Sequence, residues 1–140
     1  MAEMMRRQLE GTDAMHITRL DHVNLRTTQL DTMITWYEDV LGLVNGPRPA
    51  FKFPGAWLYA GEDAIVHLNG ISGAVGTGSE VELKLEHFAL RAQDAAGFEA
   101  RLKARDIPYK PSKIAELGVV AFNIWDPDGN HIHVDFTDAG

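Results

Sequence analysis

Histidine is the residue type whose spacing points to chemistry in this 140-residue chain. His22 and His87 lie 65 residues apart. His67 and His133 lie 66 residues apart, so two histidines recur in register. Neutral imidazole is the commonest metal ligand, and burying several imidazoles together without a partner is costly. The four residues therefore predict a site for a divalent metal ion, with Fe, Zn, Mn, Ni and Co not distinguished.

The two remaining histidines fall outside this register. We interpret His16 as an ordinary polar residue, because an isolated histidine is usually hydrogen-bonded or exposed. His131 lies two residues before His133, on the same face of a predicted strand. It is either a group that supports a ligand ring or a solvated residue at the rim. A general base in this site would be His67 or His131.

The sequence around the first histidine of each pair also repeats. Residues 21–26 and 86–91 both read acid, histidine, apolar, small, leucine, arginine. Such alternation predicts a strand with one face packed on a core. Period-2 geometry sends the apolar neighbours to the core and the imidazoles to the other face. By the same parity Asp21 and Glu86 should point away from the cup, so we interpret them as solvated although they adjoin the histidines.

A helix and three strands are predicted after each repeat. Apolar residues spaced three and four apart indicate helices that start near Leu30 and Ala95. A proline–glycine turn at 126–130 predicts the last hairpin. The predicted later strands are 44–49, 56–60, 64–69, 109–114, 119–125 and 131–136.

These elements predict an α+β fold in which two βαβββ modules form a cupped mixed sheet. Residues 1–17 are an N-terminal extension, and residues 18–137 form a single domain. Within the domain, module 1 covers about 18–69 and module 2 about 81–137, joined by a glycine-rich linker at 70–80.

Composition narrows the classes of partner. Thirteen basic and twenty acidic residues give a net charge of −7, which argues against binding nucleic acid or an anionic membrane surface. Cysteine is absent, so disulfides and thiolate ligands are excluded. The first seventeen residues lack the apolar stretch of a secretory signal, and no apolar run approaches a membrane span. We expect a soluble, cytoplasmic protein that binds a small molecule.

Four segments of the chain resemble the vicinal oxygen chelate superfamily, which includes glyoxalase I, extradiol dioxygenases and the fosfomycin and bleomycin resistance proteins. The resemblance covers most of 18–137, and its segments are 20–23, 36–42, 86–88 and 126–133. It implies paired βαβββ modules around a divalent metal that is chelated by two substrate oxygens. By position, it implies that the metal ligands are His22, His67, His87 and His133.

The chain departs from the family pattern at two of these positions. His133 stands where the family usually has a glutamate ligand, and His67 stands where glyoxalase I often has a carboxylate. Four imidazoles leave the metal with a charge of +2, which makes it a stronger Lewis acid that favours anionic oxygens. The metal-bound glutamate base of glyoxalase I is also missing. We therefore expect a metal-dependent enzyme, dioxygenase-like in preference to a glyoxalase-type lyase or isomerase.

Other readings stay open at this point. The chain could be a non-catalytic drug- or metabolite-binding resistance protein, or a metal-dependent regulator or storage module. Family members of this length commonly form homodimers, so the four imidazoles could come from one chain or from two.

Substrate contacts are predicted on both sides of the histidines. Residues 47–59 combine two cations with four aromatic rings, which suits a flat or carboxylate-bearing ligand, or simply a loop that closes the edge of the cup. The candidate substrate-binding residues are Arg48, Trp57, Tyr59 and Asn24, the last on the face of His22. Asp135, on the face of His133, is expected to hold an imidazole N–H.

Overall fold

The chain folds as two modules with the same order of elements, in a computed structural model that describes residues 15–72 and 85–137. Module 1 contains β1 (Val23–Thr27), α1 (Leu30–Asp39), β2 (Val44–Gly46), β3 (Gly55–Ala60) and β4 (Asp63–Gly70). Module 2 contains β5 (Phe88–Arg91), α2 (Ala95–Ala104), β6 (Lys110–Ile114), β7 (Val119–Trp125) and β8 (His131–Thr137), with a 3₁₀ turn at Ala115–Leu117.

Each module carries one four-stranded mixed sheet. The strand orders are β1-β4-β3-β2 and β5-β8-β7-β6. The pairs β1–β4 and β5–β8 are parallel, and the other pairs are antiparallel. The α+β fold class with two βαβββ modules is therefore confirmed.

The predicted strand ends need three corrections. The predicted strand at 44–49 ends at Gly46, because Pro47 and Pro49 have no N–H to donate to a ladder. β4 runs on through Gly70, the first residue of the predicted linker. His22 and His87 each lie one residue before β1 and β5 rather than within them. Residues 1–14 of the predicted extension and 73–80 of the predicted linker lie outside the described residues.

The helices bury the apolar stripes that their spacing predicts. On α1, Met33 and Tyr37 are fully buried, and Leu30 and Ile34 pack beside them. On α2, Leu102 is fully buried. Both helices join residues of both sheets in one apolar cluster, so the two modules share a single core.

A buried hydrogen bond links the two modules at the predicted 126–130 turn. The carboxylate of Asp126 accepts from the backbone N–H groups of Asp128 and Asn130, each at 2.9 Å. It also accepts from the Asn130 amide at 2.9 Å and from the Tyr37 hydroxyl of α1 at 2.7 Å. Gly129 has φ +86°, the left-handed conformation that the turn requires. The turn of module 2 is thereby anchored to the helix of module 1.

Two strands lie at open sheet edges beside the histidines. β1 and β5 each have one neighbouring strand within the described residues. Leu20 and Leu85, each two residues before the histidine that precedes those strands, are exposed at 73% and 58%.

None of the helices in the described ranges is long and apolar enough to cross a membrane.

Candidate metal centre

His22 and His67 form a stacked pair in module 1. Their ring centroids lie 3.8 Å apart, with 11° between the ring planes. The Nδ1 atom of His22 lies 2.7 Å from a carboxylate oxygen of Asp21, which can only accept, so Nδ1 carries the hydrogen in the neutral ring. The Nε2 atom of His22 then keeps the lone pair that a metal ion needs.

His67 is held more tightly than His22. It is buried on β4, and the Trp57 ring stacks on it at 4.2 Å and 12°. Its Nε2 donates to the Ala64 carbonyl at 3.1 Å, which leaves Nδ1 as the nitrogen with the lone pair. Burial, and next the neighbouring ring of His22, lower the pKa of His67. The ring is thus kept neutral, the form in which imidazole binds metals.

Module 2 repeats the arrangement with His87 and His133. Their ring centroids lie 3.8 Å apart at 10°, close to the values in module 1. The Nδ1 atom of His87 donates to Oε1 of Glu86, so Nε2 of His87 keeps its lone pair. Burial, followed by the His87 ring, lowers the pKa of His133.

His131 adds a third imidazole to module 2. Its Nδ1 lies 3.0 Å from Oε2 of Glu86, and its Nε2 lies 2.9 Å from Oδ1 of Asn123. The Trp125 ring stacks on it at 4.9 Å and 9°. One nitrogen from each of His87, His131 and His133 lies within 4.8 Å of the other two. The side chain of His131 is 16% exposed, so it is not a solvated residue at the rim, and its support of a ligand ring stays a prediction.

Asp21 and Glu86 were predicted to be solvated, and their side chains are 78% and 72% exposed. Both also contact the neighbouring histidines, which the prediction did not include. Asp21 bonds the ring of His22, and Glu86 bonds the rings of both His87 and His131. The hydrogen bond from His22 lowers the pKa of Asp21, and those from His87 and then His131 lower the pKa of Glu86. Strand parity does not report these contacts because the histidines lie just before the strands, where strict alternation does not hold.

The two imidazole pairs lie on separate sheets of the chain. The group of three nitrogens within 4.8 Å is formed by His87, His131 and His133, and neither His22 nor His67 belongs to such a group in the described ranges. Each module of one chain therefore presents two of the four predicted ligands.

A hollow of about 490 Å³ opens beside the module 1 pair. It brings together two of the predicted substrate-binding residues, Trp57 and Tyr59, with His22 and His67. Its other lining residues are Arg19, Asp21, Glu62, Asp63 and Ala64. Arg19 lies three residues before His22 and pairs with Asp63 at 3.4 Å. The sequence analysis did not name Arg19, and its position just before the repeat at 21–26 was the signal that could have identified it as a lining residue.

Arg48 and Asn24 lie outside the lining of that hollow. Arg48 donates to the Phe53 carbonyl at 2.9 Å, and its guanidinium lies 5.0 Å from the rings of both Phe51 and Phe53. Asn24 is exposed on β1, opposite His67 in the strand register. In this arrangement Arg48 organises the loop that precedes β3.

Two further side chains differ from their expected contacts. The Tyr59 hydroxyl, which was expected to contact a substrate, donates its hydrogen to the Pro47 carbonyl instead. Asp135 was expected to hold an imidazole N–H. Its Oδ1 is buried and has no hydrogen-bond partner in the described part of the chain. Asn123, which the sequence analysis missed, faces His133 in the β7–β8 register, and only that pairing could have revealed it.

Comparison with known proteins gives one consistent result. The family model described as "Glyoxalase/Bleomycin resistance protein/Dioxygenase superfamily" matches residues 19–134. A curated relative, "Glyoxylase I 4" of Arabidopsis thaliana, is 26% identical over 130 residues, which are 89% of this chain and 74% of that protein.

Three solved structures that share the fold belong to proteins described in different ways. A glyoxalase family protein from Bacillus anthracis has a TM-score of 0.71 at 20% identity, covering 89% of this chain and 99% of that one. A lactoylglutathione lyase from Agrobacterium tumefaciens has a TM-score of 0.64 at 20% identity, covering 86% and 94%. A fosfomycin resistance protein from Listeria monocytogenes has a TM-score of 0.65 at 13% identity, covering 86% and 94%.

Proposed function

Because the chain belongs to the Glyoxalase/Bleomycin resistance protein/Dioxygenase superfamily, we propose that it is a metal-dependent enzyme that binds a small substrate through two oxygens. The observation that carries the proposal is the matched geometry of the two imidazole pairs, each stacked at 3.8 Å in its own module. Each pair supplies only two of the four predicted ligands, and the pairs lie on separate sheets. A complete site therefore requires an assembly that brings two pairs together.

A homodimer supplies that assembly. β1 and β5 are edge strands within the described residues, and open edges are where another chain can add. Leu20 and Leu85 lie exposed at the start of these edges, where a second copy would cover them. If β1 of one subunit meets β5 of the other, His22 and His67 of one copy face His87 and His133 of the second. A two-fold dimer forms two such sites.

The chain's residues prepare these nitrogens for a cation. Asp21 and Glu86 hold the Nδ1–H groups of His22 and His87, which directs both Nε2 lone pairs outward. Burial keeps the rings of His67 and His133 neutral. When bound, a divalent metal ion would act as a Lewis acid that polarises two substrate oxygens. Four neutral ligands leave its charge uncompensated, so enolates, α-hydroxy acids and other anionic chelators fit best.

The ligand set favours non-oxidative chemistry of the lyase or isomerase type. The four predicted ligands, His22, His67, His87 and His133, include no carboxylate, so they differ from the two-histidine, one-carboxylate set of Fe(II) oxygenases and would leave a bound divalent ion to supply Lewis-acid chemistry. The relatives include proteins described as a glyoxalase I and a lactoylglutathione lyase, which agrees with this class. The base would then be Asp135, whose buried Oδ1 has no hydrogen-bond partner among the described residues and lies on the His133 face.

Dioxygenase-like chemistry is the second candidate, and one observation favours it. Nε2 of His67 is already engaged by the Ala64 carbonyl. Nδ1 of His67 then holds its only lone pair, and if His67 stays off the metal, this nitrogen would act as the base. His131, the other base predicted from the sequence, contacts Glu86 through Nδ1 and Asn123 through Nε2.

Mixing two inactive variants tests the shared site. His22→Ala and His133→Ala each remove one ligand from both sites of a homodimer. When the variants are co-expressed, half of the dimers are mixed, and one of the two sites in each mixed dimer lacks both substitutions. Metal content and activity should recover to roughly a quarter of the wild-type level. Activity is assayed on a panel of α-hydroxyketones and catechols, with oxygen uptake to separate the two reaction classes.

The other outcomes have distinct meanings. No recovery, with a stable mixed dimer confirmed by differential tagging, would contradict a site shared between subunits. Full metal in His22→Ala would show that module 2 binds metal by itself. A wild-type protein purified without chelator that holds no metal, yet binds an aromatic ligand, would replace the enzyme with a drug- or metabolite-binding protein. Lys52→Ala, in the same module and outside the histidine cluster, is the control and should keep wild-type metal.

A further inference from the structure

We propose that a cavity between the two modules, away from the histidines, binds a small amphipathic monoanion of the alkyl or aryl carboxylate class. The cavity has a volume of about 430 Å³, which is within the usual range of small-ligand sites. Its lining contains none of the four predicted metal ligands. The site is therefore separate from the candidate metal centre, and the proposal does not depend on the proposed function.

The cavity exists because the two junctions between the modules are unequal. At one junction the five-residue turn 126–130 of module 2 reaches α1, where Asp126 accepts from the Tyr37 hydroxyl and the Gln29 amide donates to the Pro127 carbonyl at 3.3 Å. At the other junction the β3–β4 turn of module 1 has two residues, 61–62. The short turn borders the cavity and leaves open the space that the long turn fills.

Matched residues of the two modules show the same asymmetry. Thr27 is fully buried, and its hydroxyl accepts from the Gln29 N–H at 3.0 Å. Ala92, which lies 65 residues later, is half-buried and lines the cavity. A hollow of about 460 Å³ at the first junction is lined by α1, Arg105, Ile107 and Pro127, and it includes no residue of a strand. The opening at the second junction therefore reaches the sheets, whereas that at the first does not.

The deep wall of the cavity is apolar. Both modules contribute to it, through Leu43, Ile65, Leu90, Phe98, Val134 and Phe136. Val134 and Phe136 belong to the buried core, so this wall lies inside the fold. A hydrocarbon chain or an aromatic ring placed against it would leave water, which is the main driving force for binding apolar groups.

The mouth of the cavity is positively charged, although the chain carries a net charge of −7. Arg91 and Arg101 both line the cavity and are exposed, and neither forms an ion pair within the described ranges. Nη1 of Arg101 reaches across the junction to the Val40 carbonyl at 3.4 Å. A guanidinium binds a carboxylate through two parallel hydrogen bonds. Asp94 also lines the cavity, so two cations beside one carboxylate favour a ligand with a single negative charge.

Calorimetric titration of the full chain with hexanoate, octanoate and decanoate tests the apolar wall and the charged mouth together. Chelator is present, so that a metal ion does not compete for the carboxylate. Each CH₂ that enters the cavity should tighten Kd about threefold to fourfold. Octanol, which has the same chain without the charge, should bind more weakly than octanoate. Methyl NMR should place the largest shift changes at Ile65, Leu90 and Val134.

Variants separate the mouth from the wall. Arg101→Gln and Arg91→Gln should each weaken octanoate binding about twofold to fivefold, with a smaller effect at high salt. Lys103→Gln removes a charge from the same helix outside the cavity and is the matched control, which should keep the wild-type Kd. Ala92→Phe fills the cavity from its wall and should abolish binding.

Three results would overturn the proposal. They are no saturable binding of decanoate, an octanoate Kd that is unchanged in both arginine variants, and shift changes centred on Trp57 and His67. If Ala92→Phe does not fold, the arginine variants and the methyl shifts decide the question. His22→Ala should bind octanoate with the wild-type Kd, so this proposal and the proposed function fail independently.

Discussion

Replacing Tyr37 with phenylalanine should destabilise the protein through a single hydroxyl group. Tyr37 is fully buried, and its hydroxyl donates to the Asp126 carboxylate at 2.7 Å. Burial, and then the charge of Asp126, raise the pKa of Tyr37, so the hydroxyl remains a donor at every accessible pH. Hydrogen bonds to charged groups contribute about 1.5–3 kcal/mol. The Asn130 amide still reaches the same oxygen, which places the expected loss near the middle of that range, at about 2 kcal/mol.

The assay is equilibrium unfolding of metal-free protein, followed by circular dichroism. For a 140-residue domain the unfolding entropy is about 0.3 kcal/mol/K, so about 2 kcal/mol lowers the melting temperature by roughly 7 °C. Tyr109→Phe is the matched control, because the Tyr109 hydroxyl donates at 2.7 Å to a half-buried Glu99 and should cost well under 1 kcal/mol. Equal losses in the two variants, or a loss below about 0.5 kcal/mol for Tyr37→Phe, would refute the reasoning.

Three further predictions concern pH, catalysis and the turn. The folded state lowers the pKa of His67 and His133, so stability contributed by these rings should be present above about pH 6.5 and lost as the pH falls. Bound metal should be lost over the same range; full metal at pH 4 would contradict imidazole ligation. Asp135→Asn should cut kcat at least about 100-fold with metal content unchanged, as expected for loss of a general base; wild-type kcat would exclude that role. Gly129→Ala should lower the free energy of unfolding by about 1–2 kcal/mol, because alanine is strained at a φ of +86°. An added Cβ would meet no atom within 4 Å, so the loss would come from the backbone alone. An unchanged unfolding midpoint would contradict this strain.

Local periodicity predicted the elements well because each depends on neighbours in sequence. The stripe through Met33 and Tyr37 selects the core face of α1, and Gly129 marks a turn that only a positive φ can close. The spacing of the histidines likewise predicted that each module carries two of them at matching places. These features are dictated by residues a few positions apart, which a single sequence displays.

The contacts that escaped prediction depend on geometry between distant segments. Glu86 and His131 lie 45 residues apart, and only the parallel pairing of β5 with β8 brings them together. The register of β7 with β8 brings Asn123 into contact with His131. The separation of the two imidazole pairs follows from how the modules pack, which strand parity does not report.

The hydrogen bond between Tyr37 and Asp126 joins the helix of module 1 to the turn of module 2, and the matching bond from module 2 to module 1 cannot form. The helix position in α2 that matches Tyr37 is occupied by Leu102, and the β3–β4 hairpin has only Gly61 and Glu62 between its strands. The halves are therefore similar in outline yet not interchangeable. A symmetrised protein made from two copies of the first half would lack Asp126 and would therefore lose this hydrogen bond between its halves.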